Sequence, residues 1–245
     1  MAPLPAQSRP LRREIVSFGR RDGRASRRLL EPEDPSLAPY LVTPPRGGLA
    51  TSIDPQWRFD PAVEFGRASD VVVEIGTGTG EAILAAAQGD PEADHLGVEV
   101  YRPGLARTVR AAQRAGLGNL RMIEADARAL LARALPDGSL AEVRVFFPDP
   151  WPKPRHHKRR LVDGPLLADV ARLLRPGGAA LLATDWPDYA KQIRDAARRQ
   201  PTLVDLDPAE TVSAGRSRQV RPVTKFEQRA ARDGRSVCEL RFRRM

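Results

Sequence analysis

Cysteine is nearly absent from this chain. Cys238 stands alone among 245 residues, which excludes an internal disulfide and any zinc site built on cysteine pairs. Histidine is almost as scarce, and His95, His156 and His157 have no metal-ligand spacing, so no metal is expected. No apolar run approaches the roughly 18 residues that would span a membrane. The basic first residues lack the apolar stretch of a signal peptide, and a soluble chain in the cytoplasm is expected. Lysine is rare too: only positions 153, 158, 191 and 225 among the 40 basic residues. Such an arginine and proline bias can reflect genome base composition, so the high isoelectric point alone says little. What is present is enough apolar content, 41%, to bury a sizeable core.

The distribution of charge says more than its sum. Residues 1–28 carry net +6, residues 153–160 net +5 and residues 216–245 net +7, which leaves −9 for the remainder of a chain whose total is +9. A uniform composition bias does not segregate charge in this way. An acidic body with three basic segments suits a polyanionic partner, most plausibly nucleic acid.

Residues 1–60 are rich in Pro, Arg, Gly and Ser without a sustained apolar period, and read as a basic arm that orders on binding. Regular alternation begins near residue 70. Strands are expected at 71–75, 95–100, 119–125, 143–147, 179–184, 202–206 and 236–243, with helices at 81–88, 103–116, 127–135, 163–178 and 187–199. Alternation of strand and helix, broken only by two successive strands at the end, predicts an α/β fold: a doubly wound, Rossmann-like, seven-stranded sheet, mostly parallel with an antiparallel last strand. In such sheets ligands bind beyond the carboxyl ends of the strands.

Those ends are acidic. The first strand runs into Glu74-Ile-Gly76-Thr-Gly78-Thr-Gly80-Glu81. Glycines here allow a tight turn and close approach of backbone to a ligand. A dinucleotide fingerprint would need a third glycine at 81, where an acid stands and would repel a pyrophosphate. Glu99 ends the second strand, at roughly the spacing that places an acid on a ribose diol. Asp126 follows the third strand and Asp149 the fourth. This series suits a nucleoside ligand of neutral or positive charge, and S-adenosylmethionine meets the description.

With FFPDPWPKPRHHKRR (146–160) added, the chain resembles the bacterial tRNA (guanine-N7-)-methyltransferases, a family of class I S-adenosylmethionine-dependent methyltransferases. VVVEIGTGTGE, LGVEV, ATDW (183–186), RPVTKFEQR (221–229) and the basic SFGRRDGR (17–24) also stand where that family has its motifs. The resemblance implies a methyltransferase domain over 61–245 and transfer of a methyl group to N7 of guanosine 46 in the variable loop of tRNA. It implies cofactor contacts from Glu74, Glu99, Asp126 and Asp149, with Asp149 also the catalytic position, and substrate contacts from Lys153, Asp185, Thr224, Lys225, Phe226 and Glu227. The run Arg155, His156, His157, Lys158, Arg159 and Arg160 looks like its RNA-contacting segment. No obligatory protein partner is implied, and a monomer and a homodimer both remain open.

The chemistry can be argued separately. Guanine N7 already has a free lone pair, so no base need remove a proton. Positive charge passes to the purine, and a carboxylate against its N1–H and amine edge would favour the transition state; Asp149 and Asp185 are the candidates. N7 must come from a splayed base or a loop, with Trp151 and Phe226 as candidate stacking platforms. Two alternatives stand beside this reading. An amino-methyltransferase would want an unsplit diproline after the acid, where this chain has Pro-Asp-Pro-Trp. A non-catalytic RNA-binding protein of the same fold would not need the acid series.

Overall fold

The β-branched run Val71–Ile75 (β2) forms a central strand with every residue buried. The computed structural model describes residues 34–47, 51–206 and 222–245, so the basic SFGRRDGR segment lies outside the described residues. The remaining strands are β1 (Leu41–Val42), β3 (Asp94–Glu99), β4 (Leu120–Glu124), β5 (Leu140–Phe146), β6 (Leu174–Thr184), β7 (Leu203–Asp205) and β8 (Cys238–Arg244). They make one sheet in the order β1-β4-β3-β2-β5-β6-β8-β7. β8 runs antiparallel between β6 and β7, and every other pairing is parallel.

Helices cover both faces: α1 (Pro61–Phe65), α2 (Glu81–Gly89), α3 (Arg102–Arg114), α4 (Ala127–Ala129, continuing as a π turn through Ala134), α5 (Gly164–Leu173), α6 (Pro187–Ala197) and α7 (Lys225–Arg232). α3 shows why they pack. Leu105, Thr108, Val109 and Ala112 recur at helical spacing and are all buried. Leu105, Val109 and Ala112 join Ile83 of α2 and Met122 of β4 in one core cluster. The larger cluster, around Val73, Leu131, Leu167 and Ile193, lies under α4, α5 and α6.

Eight strands stand where seven were expected. The addition is β1, a two-residue edge strand in register with Met122 and Ile123. Residues within the expected arm therefore reach the sheet, and Phe59, 1% exposed, packs edge-on to Trp57 and Phe65. The helix expected over 163–178 ends at Leu173. Pro176 disfavours helical backbone at the residue before it, and Gly178 lies against the carbonyls of Leu140 and Ala141, so the chain enters β6 early. α7, eight residues long, lies between the last two strands.

His95 in β3 is fully buried. Burial, helped by the charge of Arg144 and opposed by Asp90 and Asp94, pushes its pKa down from 6.5 to about 4. Below 6.5 the unfolded chain takes up a proton that the folded chain refuses, so this contribution is full above pH 6.5 and is lost as pH falls towards 4. The expected loss is about 2 kcal/mol by about pH 5. Urea unfolding at neutral pH and at about pH 5, compared between the parent chain and His95→Gln, checks it: the acid-side loss should be confined to the parent.

Candidate functional site

β2 and β5 run side by side in the same direction with Ile75 paired to Val145, so the segments leaving their carboxyl ends emerge as neighbours. One is the glycine loop. Gly76, Gly78 and Gly80 take φ of 74, 58 and 82°, a region that costs an L side chain roughly 1–2 kcal/mol. The Gly78 amide donates to Glu99 Oε2 (2.6 Å), while Glu99 Oε1 accepts from the amides of Val100 and Tyr101 (2.7 and 2.8 Å). Burial raises the pKa of Glu99, the three amides act against that, and the charge of Asp149 pushes the same way as burial. The acids after β3 and β5 therefore share one electrostatic site.

Glu74 lies within β2 at 3% exposure. Asp126 follows β4 and caps α4, its Oδ1 accepting from the amides of Arg128 and Ala129 (2.9 and 3.3 Å). Its own amide donates to the Thr51 carbonyl (2.9 Å), which ties the strand end to the segment after β1.

The second segment is Phe147-Pro148-Asp149-Pro150-Trp151. Phe147 and Trp151 take φ of 50 and 43° and are the non-glycine residues at positive φ among those described. Backbone of this kind costs of order 1–3 kcal/mol per residue and persists only where the surroundings over-determine it. Asp149, between them, is exposed and forms no hydrogen bond or ion pair with another described residue.

The first turn of α7 settles on both segments. Phe226 stacks on Phe147 (centroids 6.3 Å apart, 18° between planes) and stays 47% exposed. Lys225 Nζ donates to Thr79 Oγ1 (3.0 Å) and its amide to Glu81 Oε2 (3.2 Å). Glu81, which takes the place of a third glycine, is thus an anchor for the segment that opens α7. Thr224 is buried and caps the helix, accepting from the Glu227 amide (3.4 Å). That Thr-x-x-Glu spacing is the signal that could have announced α7 in the sequence. Beyond the helix, Arg235 Nε donates to Asp185 Oδ2 (2.8 Å), so Asp185 ties down the far end of the same segment.

The basic run leaves the site through a 3-10 helix, Pro154–Arg159. Lys153, Arg155 and Lys158 are exposed. Arg159 lies over the Trp151 ring (4.9 Å) and His156 meets its edge (5.8 Å), so Trp151 already has occupied contacts. Burial, then the charges of Arg159, Arg155, Lys153 and Lys158, hold His156 below the usual histidine pKa. His157 Nε2 sits 3.8 Å from Asp188 Oδ2. Arg160 differs from the rest of the run: it is 1% exposed, and its guanidinium is turned to Pro150, Gln192 and Asp188.

Among the described residues no cluster of His, Cys, Asp and Glu is placed to hold a metal, and no helix is long and apolar enough to cross a membrane. A search of solved structures finds the 16S rRNA methyltransferase KamB at a TM-score of 0.52 and 20% identity, covering 77% of this chain and 95% of that one, which supports the fold. The methyltransferase family model Methyltransf_4 matches residues 68–240. A tRNA (guanine-N(7)-)-methyltransferase of Nitrosococcus oceani is 42% identical over 232 residues, 95% of this chain and 92% of its own. One of Alkalilimnicola ehrlichii is 42% identical over 236 residues, 95% of this chain and 94% of its own. This sheet, with its glycine loop, strand-end acids and anchored Thr-Lys-Phe-Glu turn, belongs to a chain whose sequence matches along nearly its whole length: the chain belongs to the tRNA (guanine-N(7)-)-methyltransferase family.

Proposed function

We propose that this chain methylates N7 of guanosine 46 in the variable loop of tRNA, in the cytoplasm, with S-adenosylmethionine as donor. The observation that carries this reading is the meeting, at the β2–β5 switch point, of a positive-φ glycine loop, the amide-held Glu99, the exposed Asp149 and the α7 turn. S-adenosylmethionine fits the residues present. The loop backbone is fixed in a glycine-only conformation, Glu99 is held in one orientation suited to accept from a ribose diol, and Glu81 disfavours a pyrophosphate. When bound, the cofactor supplies a methyl group activated on a sulfonium.

The chain's own residues then orient and stabilise. N7 carries a lone pair, so positioning supplies most of the acceleration. Phe226, exposed on one side and backed by Phe147, is the stacking platform for the guanine. Lys153, Arg155, Lys158 and Arg159 supply the phosphate grip. Of the two candidate carboxylates for the N1–H and amine edge, Asp185 is neutralised by Arg235, which leaves Asp149.

Incubation with labelled S-adenosylmethionine and unmodified tRNA, followed by nucleoside analysis, tests this. N7-methylguanosine at position 46 is the expected product, and its yield should fall steeply with salt. N1- or N2-methylguanosine, or a methylated adenine or cytosine, would refute the assignment. The absence of any thermal shift with S-adenosylmethionine would point to a non-catalytic binding protein instead.

A further inference from the structure

Arg160 closes the basic run, yet its guanidinium is among the most deeply buried charged groups described, at 1% exposure. Its Nε donates to the Pro150 carbonyl (2.7 Å), Nη1 to Gln192 Oε1 (2.7 Å) and Nη2 to Asp188 Oδ2 (2.5 Å). The guanidinium also lies 4.7 Å over the ring of Tyr189, and that tyrosine is fixed in turn because its hydroxyl accepts from the Val162 amide (2.8 Å). The Arg160 backbone is held as well, its carbonyl accepting from Arg128 Nη2 (3.0 Å) while Arg128 pairs with Asp163 (3.0 Å). A buried cation is tolerated when every side of it is paired in this manner.

The partner that matters is Pro150. Its carbonyl sits between Asp149 and Trp151, inside the only stretch of the described chain where non-glycine residues adopt positive φ. A proline has no amide hydrogen, so its carbonyl is the only backbone hydrogen-bonding group that Pro150 itself offers. Strained backbone relaxes unless neighbouring groups over-determine it. The planar fork of Arg160 joins that handle to α6, which carries Asp188, Tyr189 and Gln192.

We propose that Arg160 is a positioning residue for methyl transfer: it fixes Asp149 by gripping the Pro150 carbonyl and takes no part in the RNA grip. The inference rests on the function proposed above. A guanidinium with three partners in its plane cannot be replaced by an ammonium, which directs its donors differently and reaches fewer of them.

The test is methylation of unmodified tRNA by Arg160→Lys and by Gln192→Leu, with kcat, KM for tRNA and the salt dependence of tRNA binding measured for each. Arg160→Lys is expected to lower kcat by about 10- to 100-fold, the scale of a misplaced reacting group, with tRNA affinity and its salt slope unchanged. Gln192→Leu, which keeps Arg160 but removes one of its anchors, should lower kcat by a smaller factor in the same way. A salt slope reduced by about one with kcat preserved would make Arg160 a phosphate contact and overturn the proposal. So would a lower melting temperature with parental kcat, which would make its role merely structural. If Arg160→Lys does not fold, parental kcat in Gln192→Leu overturns it alone. A parent chain that yields no N7-methylguanosine refutes the functional reading instead, whatever the variants do.

Discussion

Asp149→Asn is expected to slow methylation of unmodified tRNA by about 10²- to 10³-fold at saturating substrates, the scale of removing one preorganised electrostatic group, with tRNA affinity little changed. The substitution keeps size and shape but removes the charge and turns one acceptor oxygen into a donor. Transfer to N7 makes the purine cationic, so its N1–H and amine become stronger donors as the reaction proceeds. A carboxylate facing them gains more in the transition state than in the ground state, and the loss should therefore appear in kcat rather than in KM. Asp149 is suited to this because its carboxylate is exposed and makes no hydrogen bond or ion pair with a described residue, whereas Asp185 is held by Arg235 at 2.8 Å. Asp149 also raises the pKa of Glu99, so removing its charge should ease ionisation of Glu99. A tRNA carrying inosine at the target position probes the same contact from the other side. Parental turnover by Asp149→Asn would remove the carboxylate from the mechanism, and an unchanged rate on inosine would remove its contact with the amine.

How far the molecule was legible in its sequence depended on whether the signal was local. Val71–Ile75 reads as a buried strand because five β-branched or acidic residues stop at glycines, and the structure buries all five. The glycine loop and the acids after β3, β4 and β5 follow from alternation plus the rule that ligands sit at strand ends. β1 escapes because two residues carry no period, and its pairing with Met122 and Ile123 is wholly non-local. Prolines at 148, 150, 152 and 154 signal a stiff loop, but no residue type announces left-handed backbone at a phenylalanine or a tryptophan. Arg160 is the sharpest case. In the string RHHKRR it is one cation among several, and only the approach of α6 makes it an interior clamp.

Gly104 had no signal at all, and it carries the second large effect. It lies in the first turn of α3, where helix propensity alone would favour alanine by about 1 kcal/mol. The structure predicts the opposite for function. A Cβ at Gly104 would overlap the Gly78 carbonyl oxygen and sit 2.9 Å from the Gly78 carbonyl carbon and 3.0 Å from Tyr101 Cδ1. Backbone cannot step aside by changing rotamer, and overpacking of this kind costs roughly 1–3 kcal/mol. The helix gain and the steric cost partly offset each other in overall stability, but both act at different places: the gain is spread along α3, while the displacement falls on Gly78. That residue's amide is the 2.6 Å donor to Glu99 Oε2, so moving it disturbs the loop and Glu99 together. Gly104→Ala is expected to weaken S-adenosylmethionine binding by at least about tenfold, or about 1.4 kcal/mol, in calorimetric titration of a chain whose melting temperature stays near that of the parent. Unchanged affinity would mean that the glycine loop adjusts freely, and that its geometry is set by the ligand rather than by the packing of α3 beneath it.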